Sequence, residues 1–163
     1  MSACIDFDEV ARFLVEAKRS TYAGEGTEEK DPQRPGFKEL VYRKDLWVYR
    51  DSYIGYYQAQ GQELVHHEGI TIWSMSYHGG MLTAHHGNKE FSTKTFSFLK
   101  EALFRIPIEA PYRGPTSFTN HDYHYINEFT GDHTSFRGVE RIFYQDHEVY
   151  NQDYCGGIII HKD

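Results

Sequence analysis

Residues 61–82 read GQELVHHEGITIWSMSYHGGML, and residues 138–159 read GVERIFYQDHEVYNQDYCGGII. The two stretches align without a gap at an offset of 77 residues. Five positions are identical, including a Gly-x-Glu sequence at the start and a Tyr followed two residues later by Gly-Gly. The apolar alternation in both stretches is typical of a β-hairpin, and Glu68-Gly69 is a turn signal in the first.

Two helices are predicted, and each precedes one of these hairpins. The first runs from Asp6, a capping residue, to about Ser20, because apolar residues recur at helical spacing. The second follows Phe91-Ser92-Thr93, which is expected to cap it, and ends before Pro107. Both contain the pattern Phe-Leu-x-Glu-Ala, and both are followed by a loop with Pro and Arg. The loop after the second helix is expected to extend to Asn120.

The repeated order of helix, loop and strands predicts an internal duplication. The copies span approximately residues 6–82 and 92–160 of a single domain, residues 1–163. Each copy is of the αβββ type, so the predicted fold class is α+β. We expect a curved antiparallel sheet of six to eight strands with two helices packed on one face. Trp73, Met75 and Tyr77 share one strand face, and we expect an aromatic-lined concave side opposite the helices.

The composition limits the class of protein and its partners. With 39% hydrophobic and 16% aromatic residues, the chain is typical of an ordered globular protein. A net charge of −7 without a basic stripe disfavours direct binding to nucleic acid. No apolar run approaches the roughly 18 residues of a spanning helix, and signal-peptide features are missing, so we expect a cytoplasmic protein without membrane contact. Cys4 and Cys155 are expected to be reduced thiols.

Signatures of catalysis or metal binding are missing from the sequence. It contains no G-x-S-x-G, H-E-x-x-H, C-x-x-C or phosphate-binding loop. Ten histidines are present, but neighbours such as His66 and His67 point to opposite faces of a strand and cannot share a metal ion. We therefore predict no catalytic residue, no metal and no cofactor, and an enzyme is less favoured than a non-enzymatic protein.

Candidate binding residues are polar or aromatic side chains on apolar strand faces. Glu63 and Glu140 each share a face with an aliphatic residue, where a carboxylate is costly unless it is paired. Arg34 and Arg113, in equivalent loops, are the expected partners. Three interpretations remain open, namely structural salt bridges, a ligand pocket near the pseudo-two-fold axis, and a pair of carboxyl groups that act as general acid and base. The complete candidate set is Trp47, Tyr49, Asp51, Glu63, Trp73, Tyr77, Arg113 and Glu140.

Several motifs, spread over nearly the whole chain, are shared with a known family. They include Asp51-Ser52-Tyr53-Ile54-Gly55, Trp73-Ser74-Met75-Ser76-Tyr77 and Pro111-Tyr112-Arg113-Gly114-Pro115. With these motifs the chain resembles an uncharacterised bacterial family of domains of unknown function. Some relatives look like the C-terminal half of helix-turn-helix transcriptional regulators, which implies a sensing or effector-binding role. The resemblance brings no established catalytic residues.

A small-molecule-binding or sensory domain without catalysis is the function that these observations favour. The first alternative is a hydrolase that uses Glu63, Glu140 or Asp51 as acid or base. The second is a structural module that forms a homodimer through a sheet edge. If the two copies share a scaffold, function should lie where they differ. In the aligned hairpins the differences are Trp73 against Tyr150, Met75 against Gln152 and His78 against Cys155.

Overall fold

The computed structural model describes residues 6–162, which form two α-helices and one open, curved antiparallel sheet of eight strands. The elements in chain order are α1 (Phe7–Ser20), β1 (Lys38–Lys44), β2 (Trp47–Gly55), β3 (Gln58–His67), β4 (Ile70–Met81), a short 3-10 helix (Thr83–His85), α2 (Lys89–Phe104), β5 (Ser117–Asn120), β6 (Tyr123–Asp132), β7 (Ser135–Tyr144) and β8 (His147–Ile158). Cys155 is a free, exposed cysteine. The expectation for Cys4 concerns a residue outside the described range.

The strand order is β1-β2-β3-β4-β8-β7-β6-β5, so each half of the chain contributes four strands. The halves meet where β4 pairs with β8, and there Tyr77 lies opposite Tyr154. The order and number of strands confirm the predicted α+β class at the upper end of the expected six to eight. The Glu68-Gly69 turn also joins β3 to β4 as predicted, with both residues at positive φ.

The loop after α2 is shorter than expected. Its last residues form β5, which pairs with β6, so the second half has four strands instead of the three expected there. Phe118 of β5 stacks on Phe98 of α2, with ring centroids 5.5 Å apart. A four-residue strand offers too few alternating positions to be recognised from periodicity, especially just after Gly114-Pro115.

The two helices lie on the same face of the sheet. The Asp6 carboxylate caps α1 as predicted and accepts a hydrogen bond from the Asp8 N–H at 3.0 Å. Asn88 caps α2 and accepts from the Phe91 N–H at 3.2 Å, so this helix begins before the segment expected to cap it. Within residues 6–162, no helix is both long and apolar enough to cross a membrane.

Apolar clusters between the helices and the sheet form the core. One lies under α1 and includes Val10, Phe13, Leu14, Ala17, Tyr49, Val65 and Trp73. The other lies under α2 and includes Phe98, Leu99, Ala102, Leu103, Tyr125, Ile142 and Tyr150. The sequence-based interpretation of the sheet faces was therefore wrong, because the aromatic side of the central strands faces the helices.

A β-bulge in β4 accounts for the part of this error that concerns Ile72. The pairing of β3 with β4 shifts between Val65 and His66, so that Ile72 has no partner in β3. Ile72 and Trp73 consequently lie in the same core cluster. Regular alternation would have put these two neighbours on opposite faces. The open face carries mostly polar side chains, among them Gln60, Gln62, Ser76, His78 and Asp153.

Candidate functional site

A cavity of about 490 Å³ lies between the two helices and the first half of the sheet. Side chains of β2, β3 and β4 contribute to it from the sheet, and α1, α2 and the loop after α2 contribute from the opposite side. Four buried charged residues line it, namely Lys18, Asp51, Glu63 and Arg113. Much of the remaining lining is aromatic and includes Tyr22, Tyr49, Tyr53, Tyr77, Tyr112 and Tyr150. This size and mixed lining are typical of small-molecule sites.

Tyr77 and Tyr154, opposite each other at the centre of the sheet, are held by the same local arrangement. Each ring lies across a glycine of the neighbouring strand, Gly61 for Tyr77 and Gly138 for Tyr154. A Cβ at Gly61 would lie 2.3 Å from the Tyr77 ring, and one at Gly138 would lie 2.5 Å from the Tyr154 ring. The glycine of each Gly-x-Glu motif therefore makes room for the tyrosine, and the glutamate follows on the same face.

The two tyrosine hydroxyls donate to side chains at corresponding positions of β2 and β6, the strands that lie beyond the glycine-bearing strands β3 and β7. The Tyr77 hydroxyl donates to Asp51 Oδ1 at 2.7 Å, and the Tyr154 hydroxyl donates to Asn127 Oδ1 at 2.8 Å. Asp51 and Asn127 each lie opposite the glutamate of the Gly-x-Glu motif. The two halves therefore have one geometry with different chemistry, a carboxyl group in the first half and an amide in the second.

Glu140 is fully enclosed by hydrogen-bond donors. Its carboxylate, which has no exposed surface, accepts from Arg113 at 2.5 Å, Tyr125 at 2.7 Å, Gln152 at 3.1 Å and Tyr150 at 3.3 Å. The predicted pair of Arg113 and Glu140 is thus present. A carboxylate with four donors has little capacity for a further partner.

Glu63 occupies the corresponding position in the first half and has fewer donors. Its Oε2 lies 2.6 Å from Lys18 Nζ, and its Oε1 lies 3.7 Å from Nη1 of Arg113. Burial, together with the charge of Glu63 and a hydrogen bond to it, raises the pKa of the Tyr49 hydroxyl well above its ordinary value, so Tyr49 is a third partner. At the two register positions where the second half has Tyr150 and Gln152, the first half has Trp73 and Met75. Neither donates a hydrogen bond to Glu63, and the Trp73 Nε1–H has no acceptor among the described residues.

Arg34 does not pair with Glu63, so that expectation is wrong. Its guanidinium donates to Gln62 Oε1 at 2.7 Å. Because Gln62 and Glu63 are neighbours in one strand, they point to opposite faces of the sheet. The loop that carries Arg34 therefore contacts the open face, and Lys18 of α1 is the cation that lies against Glu63 instead.

Burial and nearby charges set the protonation of the cavity groups. Burial, together with the charge of Glu63, raises the pKa of Asp51 to about 7. Burial lowers the pKa of Lys18, and Glu63 opposes this shift. Burial alone would also lower the pKa of Arg113, but Glu140 holds it well above its ordinary value. Asp51 is therefore a cavity group whose charge changes near neutral pH.

Five of the predicted ligand-binding residues line the cavity, namely Tyr49, Asp51, Glu63, Tyr77 and Arg113. The other three lie elsewhere. Trp73 is buried in the core under α1, and Glu140 is enclosed by its donors. Trp47 stacks on His67 at the end of its strand, with ring centroids 4.3 Å apart.

Lys18 is a cavity residue that sequence reasoning missed, although the sequence contains a signal for it. It follows Leu14 by four residues and Val10 by eight, which places it on the apolar face of α1. A lysine there is costly unless it is paired. In the fold it is 7% exposed, and its ammonium donates to the Tyr112 carbonyl oxygen at 2.5 Å. No local pattern, in contrast, indicates that Tyr22 reaches the same cavity.

A second, broader depression of about 1,080 Å³ lies on the open face of the sheet. It is lined by side chains such as Gln62, Ser76, Arg137 and Cys155. Within residues 6–162, no three His, Cys, Asp or Glu side chains are close enough together to hold a metal ion. The buried charged residues described above line the cavity between the helices and the sheet, which is therefore the better candidate site.

A family model matches most of the chain. It is described as a domain of unknown function (DUF5680) and covers residues 51–159. This segment contains Asp51, Glu63, Arg113 and Glu140, whereas Lys18 precedes it. No curated protein and no solved structure matches the chain. Because the matched segment is more than half of the chain, the protein belongs to the family of domains of unknown function DUF5680.

Proposed function

We propose that this protein is a small-molecule-binding domain with a sensory, non-catalytic role. Its ligand binds in the cavity between α1, α2 and the first half of the sheet. The observation that carries the proposal is the state of Glu63, which is buried and lines this cavity with fewer donors than Glu140. A buried carboxylate with incomplete hydrogen bonding is costly, and a ligand that supplies donors recovers part of that cost.

We further propose that the two halves derive from a duplicated unit, at approximately residues 6–82 and 92–160. The shared element order, the shared register and the repeated Tyr–Gly contact support this. On this view the Tyr, Gly and Glu positions are scaffold in both halves. The positions that differ, Asp51 against Asn127 and Met75 against Gln152, distinguish the half that binds a ligand.

The position of the cavity fits a sensory role. Its lining combines Lys18 and Tyr22 from the first half with Leu99 and Arg113 from the second. A ligand in this position contacts both helices and both halves of the sheet. Binding would therefore change how firmly the halves are held together, and a signal could pass to an attached or bound partner in this way.

One observation supports acid or base catalysis as the alternative function. Asp51 has a pKa of about 7 and lies in the cavity opposite Glu63, which suits proton transfer near neutral pH. Glu140 does not suit this role, because its oxygens are occupied by four donors. A hydrolase of this kind would use Asp51 and Glu63, and the purified protein would turn over substrate analogues without an added cofactor.

A thermal-shift screen of soluble metabolites tests the binding proposal. A ligand at 100 times its Kd stabilises the folded state by about 2.7 kcal/mol. For a domain of this size that corresponds to a rise in Tm of roughly 5–10 °C. We expect at least one metabolite class to give such a shift.

A variant that blocks the cavity provides the control. Ser97 is exposed on α2 and lines the cavity, so Ser97→Trp should fill the entrance without disturbing the core. Ser97→Ala is the matched change that leaves the entrance open. A ligand that stabilises the wild type and Ser97→Ala but not Ser97→Trp binds in the cavity. Equal stabilisation of all three proteins by every hit would contradict the proposal.

A further inference from the structure

The unequal surroundings of Glu63 and Glu140 also indicate the chemistry of the ligand, an inference that rests on the proposed function. We propose that the buried end of the ligand is a planar nitrogen group with at least two N–H donors, which binds between Asp51 and Glu63. An amidine or the amino-substituted edge of a nitrogen heterocycle has this form.

The two carboxyl groups are placed to accept from one planar group. Asp51 and Glu63 are directly opposite each other in β2 and β3, on the face toward the helices. Directly opposed residues have Cβ atoms about 4.5–5.5 Å apart, so a flat group with two parallel N–H bonds can reach both. Both residues line the cavity, at 4% and 3% exposure.

Both carboxyl groups retain acceptor capacity. Among the described residues, the Tyr77 hydroxyl is the only group that donates a hydrogen bond to Asp51, and it reaches one oxygen. Glu63 has three donors nearby, namely the Lys18 ammonium at 2.6 Å, Arg113 at 3.7 Å and the Tyr49 hydroxyl. Lys18 also donates to the Tyr112 carbonyl and Arg113 to Glu140, so a carboxylate with about four acceptor sites keeps capacity for a further donor. The first half therefore has an excess of acceptors that the second half lacks.

The walls of the cavity suit a flat group. Tyr49 and Tyr53 lie two residues before and after Asp51 in β2, so all three side chains are on one face. The two tyrosines line the same cavity as Asp51. A planar group held by Asp51 thus lies beside aromatic rings, against which it can stack.

The entrance of the cavity favours a competing interpretation, which the experiment must separate. Lys38, Lys89 and Lys100 line it, against one acidic residue, Glu28. Cations at the entrance attract anions, so a carboxylate ligand is the natural competitor. Inside the cavity, Asp51 and Glu63 would repel its carboxylate, whereas Lys18 and Arg113 would attract it, so the position of the anionic group decides which effect is larger.

Three molecules of nearly the same shape discriminate between these ligands. Benzamidine is a cation with several N–H donors, benzamide is neutral with fewer donors, and benzoate is an anion with none. Binding of each to the full-length chain is measured at pH 8 by isothermal titration calorimetry. We expect the order benzamidine, benzamide, benzoate, with at least a tenfold difference in Kd between the first and the last, as for a charge-assisted pair.

Two variants link this order to the proposed groups. Asp51→Asn should raise the Kd of benzamidine at least tenfold, and the amide can still accept from Tyr77, as Asn127 accepts from Tyr154. Glu63→Gln should have a similar effect and serves as the second variant if Asp51→Asn does not fold. Tighter binding of benzoate, no binding of any of the three, or no effect of the variant would overturn the inference.

Failure of the inference is distinguishable from failure of the proposed function. If benzoate binds best and Ser97→Trp blocks it, the cavity binds small molecules but the donor inference is wrong. If these compounds bind equally well to Ser97→Trp, they do not occupy the cavity, and both the inference and the cavity proposal fail for them.

Discussion

Glu63 and Glu140 occupy the same register position in the two halves of the sheet, each two residues after a glycine that makes room for a tyrosine. Glu140 accepts hydrogen bonds from four side chains and has no exposed surface. Glu63 has two cations beside it and lies at the wall of a cavity. One half thus surrounds its buried carboxylate with donors from the protein, and the other leaves its carboxylate with fewer donors beside a cavity.

The difference teaches what the shared scaffold requires and what it does not. The second half shows that the fold can surround this carboxylate completely when Tyr150 and Gln152 occupy the central strand β8. Met75 and Trp73 at these positions in the first half remove two donors at a cost in stability. Departures from local satisfaction of this kind are expected at functional sites.

The largest expected effect comes from removing the arginine that serves both halves. Arg113→Met leaves Glu140 buried without its cation and also removes the more distant partner of Glu63. We expect a loss of about 3–5 kcal/mol in the free energy of unfolding. Urea denaturation followed by tryptophan fluorescence measures it.

The matched control is Arg34→Met, in the corresponding loop of the first half. Its guanidinium bonds an exposed amide on the open face, so the loss should be within about 1 kcal/mol. Equal losses for the two variants would mean that Arg113 is not the central ion-pair residue described here.

The glycines under the tyrosines should be equally necessary in both halves. A Cβ at either Gly61 or Gly138 would overlap a tyrosine ring. We expect Gly61→Ala and Gly138→Ala each to cost about 1–3 kcal/mol, because overpacking displaces well-packed groups. In a double-mutant cycle, the cost of Gly61→Ala should be smaller when Tyr77 is Ala. A large cost in only one half would show that the two arrangements are not equivalent.

The pH dependence of stability should distinguish Asp51 from its counterpart. Because the pKa of Asp51 is raised to about 7, the folded protein retains a proton that the unfolded chain releases at lower pH. The contribution of Asp51 to wild-type stability therefore falls as the pH rises from about 4 to 7. Asp51→Asn removes this dependence and should gain on the order of 2 kcal/mol relative to wild type between pH 4 and pH 8.

The reciprocal variant, Asn127→Asp, should add a pH dependence of stability, whereas Asp51→Asn removes one. The Asn127 amide donates to the Gly114 carbonyl oxygen at 3.0 Å, and a carboxylate there would face that oxygen. Asn127→Asp should therefore lose stability as the pH rises. Parallel pH profiles of the two variants in chemical denaturation would contradict the assignment of Asp51 as the raised carboxyl group.

The smallest effect on stability is expected from converting a central position of the first half to that of the second. Met75→Gln places an amide where Gln152 donates to Glu140, so it should donate to Glu63. Stability should change by less than about 1 kcal/mol, since a new hydrogen bond offsets the burial of a polar group. Binding of benzamidine should weaken several-fold, because Glu63 has less free capacity. Unchanged binding would show that benzamidine does not bind to Glu63.

The sequence was sufficient to predict much of the fold. Apolar spacing and Asp6 located α1, and the two aligned hairpins predicted an antiparallel sheet with one helix for each half. These features are local, and each uses several residues with a clear period. Phe118 illustrates the limit, because a strand of four residues is recognised only once its pairing partner is known.

The candidate site was less predictable, because it depends on which side of the sheet each element covers. Arg113 could be matched with Glu140 from their loops and charges. Arg34 was matched wrongly with Glu63, since the path of its loop to the open face is not encoded in a local pattern. The bulge at Ile72 likewise is not visible in the alternation, which had placed Ile72 and Trp73 on opposite faces although both lie in one core cluster.

The pairing of β4 with β8 has a consequence for how the molecule folds. Tight turns link the strands within each half, whereas β4 and β8 join residues as distant in sequence as Trp73 and Ile158. Distant pairing carries the larger loop-closure entropy, so we expect the halves to form first and to dock late. The cavity needs elements from both halves and comes into existence only at docking. A chain that pauses before this step presents β4 and β8 as unpaired edges, and these are the positions at which two molecules would exchange halves.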